Sequence, residues 1–268
     1  MNDKLNRFLE RIKGKKVLIQ GLGLNKGGTG IASFFIKHGV PIKITDLKTE
    51  TELGPSISEL DNLGGDVTYV LGKHNIEDFI DADIVVKGPA VSPENEYIKA
   101  AIDNGAEILS DLSIFMENCP TEKLFAVTGS KGKSTTVSVL YSILSTYTKN
   151  CFLGGNIGTP LFTRINEMQP EDIVVLELSS FQLMTMKRSP GIAVLTNLAP
   201  NHLDIHTDMD EYVHAKENIF IHQDAQGLLV TNWDNDLARK SAQKGCGKVG
   251  YFTRSEDVVP AFGCYLQH

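Results

Sequence analysis

The chain is organised around the stretch Phe125-Ala126-Val127-Thr128-Gly129-Ser130-Lys131-Gly132-Lys133-Ser134-Thr135-Thr136. Apolar residues lead into its two glycines, and further apolar residues follow at helical spacing as far as Leu144. This order predicts a strand, a glycine loop and a helix. Such a unit binds phosphate because backbone amides and the helix N-terminus both attract an anion. Lys133 would reach terminal phosphates, and Ser134 would offer a hydroxyl to Mg²⁺.

One position departs from the general phosphate-loop pattern. Val127 stands where a first glycine is usual, five residues before Gly132. An alternative interpretation is therefore a basic, glycine-rich turn that only joins a strand to a helix.

The length of 268 residues suits one large or two modest domains. With 41% apolar and 22% charged residues, the composition is typical of a globular protein. The net charge of -7 argues against a nucleic-acid partner. Four scattered cysteines without a CxxC pair suggest neither a disulfide framework nor a zinc site, and they fit a reducing cytoplasm. Charged residues interrupt the N-terminal segment, and no stretch approaches the ~20 apolar residues of a membrane span. We therefore expect a cytoplasmic protein without a signal peptide or membrane contact.

The first part of the chain has a β-loop-α-β pattern. A predicted strand over 16–20 runs into the glycine-rich segment Gly21–Gly30, and a helix and a second strand then lead to Asp46. Dinucleotide-binding folds use this pattern, with an acid about 20 residues after the glycines. Lys26 stands where their fingerprint requires glycine. We therefore interpret the segment as a mononucleotide or diphosphate site; alternatively, its glycines serve only tight helix–strand packing.

Alternating strands and helices continue along the chain. Further strands are predicted at 66–70, 83–87, 106–109, 150–153, 172–178, 191–197, 227–232 and 248–252, with helices at 4–13, 57–63, 94–104 and 208–222. The alternation predicts an α/β protein whose parallel sheets are covered on both faces. We expect a Rossmann-like domain over 1–118 and a central P-loop-type ATPase domain over 119–268, separated at the turn 118–121. No helix is predicted after Arg254.

Polar residues follow several strands of the second domain. Glu177 ends a predicted strand, and a metal near the phosphate loop would compensate the several kcal/mol that burying an unpaired carboxylate costs. A salt bridge is the alternative. Asn156 lies in the turn Gly154–Gly158 and could offer an amide donor, unless this is an ordinary glycine turn. His202 and Asp204 follow another strand and are placed for a metal or a phosphate, or are polar surface.

Two further residue types are less informative. Lys216 lies on the predicted helix 208–222, where spacing alone does not distinguish it from a solvated lysine. The remaining histidines are interpreted as polar surface; they are His38, His74, His206, His214, His222 and His268.

Five segments in this order together resemble the Mur ligases, the ATP-dependent amide-forming enzymes of bacterial peptidoglycan synthesis. They are Thr128–Thr135, Gly154–Gly158, Glu177–Leu183, Asn201–Asp204 and Tyr212–Lys216. Valine at position 127 is the family's own form of the phosphate loop. The run Glu-Leu-Ser-Ser-Phe-Gln-Leu at 177–183 favours the D-glutamate-adding member of the family.

The resemblance implies a mechanism. ATP would phosphorylate the terminal carboxylate of UDP-N-acetylmuramoyl-L-alanine, and the amine of D-glutamate would attack the acyl phosphate. The protein would contribute positioning and charge neutralisation.

The resemblance also implies site residues. The implied ATP contacts are Gly129, Ser130, Lys131, Gly132, Lys133, Ser134, Thr135 and Asn156. The implied ligands of two Mg²⁺ ions are Ser134, Glu177, His202 and Lys216, the last as a carbamylated lysine, since carbamylation turns an amine into an oxygen ligand. Catalytic roles fall to Lys133, Glu177, His202 and Lys216. The implied contacts of the UDP-substrate are Leu24, Asn25, Asp46, Lys48, Gly88 and Ser179.

The sequence departs from the family in four respects. Its first glycine loop is longer, Gly88 replaces an expected serine, and Lys131 replaces a usual asparagine. The chain also stops late in the second domain, so we expect the family's C-terminal ligase domain to be absent. We expect a monomer.

Four alternatives remain beside this interpretation. The chain could bind nucleotide and UDP-substrate without activity, or be another Mur-type ligase. The pair Gly21 and Gly23 with Asp46 would also suit an NAD-dependent oxidoreductase, which leaves the second glycine loop unexplained. A folyl-polyglutamate synthase fits less well because a UDP-type domain precedes the phosphate loop.

Overall fold

The computed structural model describes residues 2–22, 27–89, 91–92, 94–158, 160–200, 206, 208–258 and 260–265. Four of the predicted site residues, Leu24, Asn25, His202 and Asp204, lie outside these ranges. The chain divides into two compact units, Met1–Cys119 with Phe162–Glu167, and Pro120–Leu161 with Met168–His268.

The first unit contains a five-stranded sheet with the strand order β3-β2-β1-β4-β5. Its strands are β1 (Val17–Gln20), β2 (Ile42–Asp46), β3 (Val67–Leu71), β4 (Ile84–Lys87) and β5 (Glu107–Leu109). Its described helices are α1 (Asp3–Ile12), α2 (Gly27–Lys37), α3 (Glu50–Asp61), α4 (Ile76–Ile80), α5 (Glu96–Asp103) and α6 (Asp111–Asn118).

Every residue of β1 and β4 is buried, as expected for central parallel strands covered on both faces. β1 pairs in parallel with β2 on one side and β4 on the other. The chain order therefore reverses between β1 and β4, and open α/β sheets bind ligands outside the carboxyl ends of strands at such a point.

The glycine-rich segment after β1 is shorter than predicted. The helix α2 begins at Gly27, so the prediction that Gly27–Gly30 belong to the loop was wrong. A Cβ atom at Gly28 would lie 2.3 Å from the carbonyl oxygen of Gly21 and 2.4 Å from that of Leu22. Gly28 therefore serves close packing of the helix on the end of β1, which is one of the two roles left open for these glycines.

The second unit contains a seven-stranded sheet with the strand order β12-β11-β10-β9-β6-β8-β7. Its strands are β6 (Leu124–Thr128), β7 (Cys151–Gly155), β8 (Ile173–Glu177), β9 (Ile192–Leu195), β10 (Leu228–Asn232), β11 (Lys248–Thr253) and β12 (Gly263–Tyr265). Its described α-helices are α7 (Lys133–Leu144), α8 (Ser180–Leu183), α9 (Met209–Glu217) and α10 (Asp236–Ala242). A 3₁₀ helix spans Leu161–Glu167, and all of it except Leu161 belongs to the first unit.

The strand pairs of both sheets are parallel, which confirms the predicted α/β class. Several elements were not predicted: α4, α6, α8, α10 and β12. The helix predicted at 57–63 begins earlier, at Glu50, because Thr49 and Glu52 form a capping box there. Among the described residues, no helix combines the length and the apolar character that crossing a membrane requires.

Candidate functional site

The strand–loop–helix unit predicted at 125–136 consists of β6, a four-residue loop and α7. Both loop glycines are required by their geometry. Gly129 has a φ of +148°, and a Cβ atom there would lie 1.9 Å from Oγ1 of Thr196. Gly132 has a φ of +83° and precedes the first residue of α7. No side chain caps this helix start, so its first amides remain available to an anion.

Lys133 extends back over the loop, and its Nζ donates a hydrogen bond of 3.0 Å to the carbonyl oxygen of Gly129. Ser134 and Thr135 are exposed on the first turn of α7. The cation and the two hydroxyl side chains therefore lie at the helix N-terminus, as the sequence predicts for a phosphate loop.

Asn197, at the carboxyl end of β9, holds two residues that were predicted to contact phosphate. Its carbonyl oxygen accepts the amide of Ser130 at 2.9 Å, and its side-chain oxygen accepts the amide of Lys131 at 3.0 Å. Its side-chain nitrogen donates to the carbonyl oxygen of Lys131 at 2.9 Å. The amides of Ser130 and Lys131 are therefore occupied by Asn197 and are not available to an anion.

The side chain of Ser130 is also occupied by protein. Its Oγ accepts the amide of Ala199 at 2.9 Å and lies 2.9 Å from both the carbonyl oxygen of Ala199 and the hydroxyl of Tyr212. Ser130 thus ties the loop to the segment after β9 and to α9.

Glu177 ends β8 beside Val127 of β6, and only 1% of its surface is exposed. Its Oε1 accepts a hydrogen bond of 2.9 Å from the side-chain nitrogen of Asn156. Its Oε2 is buried and has no hydrogen-bond partner among the described residues. No ion pair of Glu177 is found among these residues either. The salt-bridge alternative is therefore wrong within this part of the chain.

The turn Gly154–Gly158 brings Asn156 to Glu177. The amide of Asn156 donates to the carbonyl oxygen of Glu177 at 2.7 Å. Gly155 has a φ of +96°, and a Cβ atom there would lie 2.2 Å from the same oxygen. The glycine is needed for this close approach, so the segment is more specific than an ordinary turn.

Lys216 of α9 is a fully buried lysine, with 2% of its surface exposed. Its Nζ donates to Oγ1 of Thr128 at 3.3 Å and lies 4.7 Å from the centre of the Tyr212 ring. Burial, and secondly the positive charge of Lys133, lower the pKa of Lys216 to about 7. A substantial fraction of this amine is therefore neutral, and so nucleophilic, near neutral pH.

The described side chains do not form a self-sufficient metal site. No group of three His, Cys, Asp or Glu side chains clusters within the described ranges, and His202 lies outside them. The buried, unpartnered Oε2 of Glu177 nevertheless suits a hard cation, which binds carboxylate oxygens.

Three of the described histidines differ from the polar-surface interpretation. His38 is half-buried, and its Nδ1 lies 2.8 Å from the carbonyl oxygen of Phe34. His206 is buried, its Nε2 lies 2.9 Å from Oγ of Ser180, and its ring stacks on Phe181. His74 is half-buried, and its Nδ1 lies 2.8 Å from Oγ1 of Thr45. His214 and His222 are exposed as predicted.

In the first unit, Asp46 fixes the loop at the end of β1. Its two carboxylate oxygens accept the amides of Leu22 and Lys48, each at 2.9 Å. A Cβ atom at Gly88 would meet no atom closer than 3.7 Å, so the expected serine would fit there. Ser179 lies in the second unit, where it caps α8 together with Gln182.

Lys87, at the carboxyl end of β4, was not singled out from the sequence. It is 2% exposed, and its Nζ donates to the carbonyl oxygen of Val91 at 2.7 Å. Burial lowers the pKa of Lys87 to about 8, although the carboxylate of Asp111 opposes the shift. The sequence feature that could have identified Lys87 is its position at the end of an apolar predicted strand.

Two sequence profiles match the chain. The Mur ligase middle domain matches residues 127–261, and the MurD-like N-terminal domain of Mur ligases matches residues 15–110.

Curated relatives include two UDP-N-acetylmuramoylalanine--D-glutamate ligases. The chain is 44% identical to that of Acetivibrio thermocellus over 254 residues, which are 95% of this chain and 53% of the relative. It is 41% identical to that of Clostridium novyi over 266 residues, which are 99% of this chain and 57% of the relative. The chain thus spans about half the length of the curated relatives it matches.

Solved structures share the fold. The UDP-N-acetylmuramate:L-alanyl-gamma-D-glutamyl-meso-diaminopimelate ligase from Neisseria meningitides matches 89% of this chain and 78% of its own, with a TM-score of 0.58 and 21% identity. The murein peptide ligase from Psychrobacter arcticus matches 91% of this chain and 54% of its own, with a TM-score of 0.53 and 18% identity.

Proposed function

This chain belongs to the Mur ligase family, and from that premise we propose that it acts as an ATP-dependent ligase that joins D-glutamate to UDP-N-acetylmuramoyl-L-alanine. The product amide would serve peptidoglycan synthesis in the cytoplasm. The relatives that are named for this reaction are 39–44% identical to the chain. They support D-glutamate as the substrate rather than the amino acids that other family members add.

The observation that carries the proposal is the environment of Glu177. Its carboxylate is buried beside β6, with one oxygen held by Asn156 and the other without a partner among the described residues. Such a carboxylate is costly unless a cation binds it. A site for a cation beside a phosphate loop suits transfer of a phosphoryl group from ATP.

Bound Mg²⁺ would neutralise negative charge on the phosphates. Ser134, Glu177, His202 and Lys216 would hold two such ions. Lys133 and the N-terminus of α7 would bind the terminal phosphates, because the ammonium and the helix amides both face the loop. The side-chain amide of Asn156 would lie next to the transferred group.

Lys216 would act as an oxygen ligand after carbamylation. Its neutral amine would attack CO₂, so that an N–C bond forms and a proton leaves to solvent. The resulting carbamate is an anion whose two oxygens can bind Mg²⁺, whereas the ammonium form of the lysine would repel this cation. The lowered pKa of Lys216, about 7, supports this step because the reaction requires the unprotonated amine.

The first unit would bind the UDP part of the substrate. Its proposed contacts are Leu24, Asn25, Asp46, Lys48 and Gly88. We propose that the substrate-binding domain covers 1–118 and the ATP-binding domain 119–268, and that the protein is a monomer.

A phosphate-release assay tests the ligase proposal. Release from ATP should require both UDP-N-acetylmuramoyl-L-alanine and D-glutamate. Lys133→Met should abolish it, whereas Lys149→Met, which removes an exposed lysine of the same unit, should not. Release that is independent of D-glutamate would contradict the proposal.

A second candidate function is binding of ATP and the UDP-substrate without turnover. Calorimetric binding of both ligands with no phosphate release would favour this second function over the first.

A further inference from the structure

A row of buried polar side chains crosses the first sheet at the carboxyl ends of its central strands. Thr45, Gln20 and Lys87 are register partners on β2, β1 and β4, and each is at most 3% exposed. Register partners of parallel strands place their side chains on the same face of a sheet. Two residues earlier on β1 and β4, Leu18 and Val85 belong to the apolar core. The polar row therefore borders this core at the point where the strand order reverses.

Two members of the row hold the segments that follow strands. Oγ1 of Thr45 donates a hydrogen bond of 3.2 Å to the carbonyl oxygen of Lys73, in the segment after β3. Nζ of Lys87 donates one of 2.7 Å to the carbonyl oxygen of Val91, in the segment after β4. Gln20 differs, because its Oε1 has no hydrogen-bond partner in the part of the chain that the structure describes. The row thus offers both a side chain that holds a segment and a matched one beside it for comparison.

The segment after β4 is held by three hydrogen bonds. The amide of Gly88 donates to the carbonyl oxygen of Gln20 at 3.2 Å, and the amide of Val91 donates to the carbonyl oxygen of Gly88 at 3.1 Å. The ammonium of Lys87 supplies the third bond, from a side chain. A substitution at position 87 therefore removes one hold on the segment and leaves the two backbone bonds in place.

A buried lysine is a costly way to make this bond. Burial lowers the pKa of Lys87 to about 8, while the carboxylate of Asp111 opposes the shift, so the side chain is mostly charged at neutral pH. Burying a charge costs stability that an apolar side chain of similar size would not. A residue that served only stability would be better apolar here, so the lysine points to a role in function.

We propose that Lys87 is a positioning residue of the UDP-substrate site, where it holds the segment that begins at Gly88 in the shape that receives the substrate. The inference rests on the proposed function, in which Gly88 contacts the UDP part. The location fits, since open parallel sheets bind ligands outside the carboxyl ends of strands where the strand order reverses. A segment that is already fixed in its bound shape loses less entropy on binding. Lys87 acts through the carbonyl oxygen of Val91 rather than by contact with the substrate.

Calorimetry at pH 7 on two matched variants tests this role. Lys87→Met keeps the length of the side chain and removes the donor, so it should weaken binding of UDP-N-acetylmuramoyl-L-alanine on the order of tenfold, as expected for losing a hydrogen bond from a charged group. Its ATP affinity should be unchanged, because the phosphate loop belongs to the second unit. Gln20→Met alters the same buried row at the side chain whose Oε1 holds no segment, and it should change neither affinity.

Two further measurements separate positioning from a general loss of structure. The melting temperature of Lys87→Met should equal or exceed that of the native chain, because a buried charge has been removed. Hydrogen exchange followed by mass spectrometry should be faster in this variant only in the segment that begins at Gly88.

The outcomes distinguish this inference from the proposed function. A native-like affinity of Lys87→Met for the UDP-substrate would overturn the positioning role, as would an equal loss of affinity in Gln20→Met, and either result would leave the proposed function standing. A native chain that binds ATP but not the UDP-substrate would overturn the proposed role of the first unit and this inference together.

Discussion

Replacing Lys216 with methionine should change how stability depends on pH. The folded chain holds this lysine at a pKa of about 7, against a reference value of 10.5. Between these values the unfolded chain binds more protons, so the free energy of unfolding rises with pH. Below pH 7 the full cost of burying the charge is present, and above 10.5 it disappears.

The two pKa values give the size of the effect. Burying Lys216 costs about 4 kcal/mol of stability at pH 7 and about 2 kcal/mol at pH 9. These values follow from how strongly the lysine binds a proton in the unfolded chain and in the folded chain at each pH. Lys216→Met removes this cost and keeps a side chain of similar length. The variant should therefore be more stable than the native chain at pH 7, and its advantage should shrink by about 2 kcal/mol at pH 9.

Urea unfolding followed by circular dichroism measures this difference. The buffers should contain EDTA and be free of CO₂, so that the amine stays unmodified. Lys149→Met, an exposed lysine, is the control, and its difference from the native chain should not vary with pH. A stability difference for Lys216→Met that is constant from pH 7 to 9 would refute the burial argument.

Three other substitutions test the site. Glu177→Gln should leave the melting temperature of the metal-free chain unchanged or raise it, because no buried charge remains. In calorimetry, Mg²⁺ should no longer improve the ATP affinity of this variant. If the affinity still depends on Mg²⁺, this carboxylate is not a ligand. Gly129→Ala should lower the free energy of unfolding by about 3 kcal/mol or more, because the new Cβ atom collides with the end of the neighbouring strand. The control Gly54→Ala, where a Cβ atom meets open space on α3, should leave stability unchanged or raise it. Equal effects of the two substitutions would contradict the geometry assigned to Gly129. Asn197→Ala should weaken ATP binding by about tenfold, as expected for losing hydrogen bonds that shape the loop; an affinity equal to that of the native chain would show that this asparagine does not position the loop.

Much of the fold follows from local sequence pattern. The central strands are short apolar runs bounded by glycine or acidic residues, and the phosphate loop has glycines at both positions that need a positive φ. These features depend on neighbouring residues, so the sequence indicates them directly. The end of the chain shows the limit of this approach, because β12 is short, exposed and without a periodic pattern.

The candidate site depends on contacts between distant residues, and these were harder to predict. Lys216 meets Thr128 across 88 positions of the chain, and only the family resemblance singled it out. The hold of Asn197 on Lys131 requires β9 to lie beside β6, which chain order does not specify.

Apolar character alone also misleads in places. Val139 of α7 follows the phosphate loop at helical spacing, yet 54% of its surface is exposed. Val137, two positions earlier, is completely buried against the sheet. The sequence pattern indicates a helix here, and only the packing decides which of its apolar residues enter the core.

The proposed ligase function requires that an acyl phosphate form on the UDP-substrate. This step is tested most directly with UDP-N-acetylmuramoyl-L-alanine whose terminal carboxylate carries ¹⁸O in both oxygens, incubated with the chain, ATP, Mg²⁺ and D-glutamate. Mass spectrometry of the released phosphate should find one ¹⁸O atom per molecule, because a carboxylate oxygen leaves with the phosphoryl group when the amine attacks. Amide product accompanied only by unlabelled phosphate would contradict an acyl phosphate intermediate.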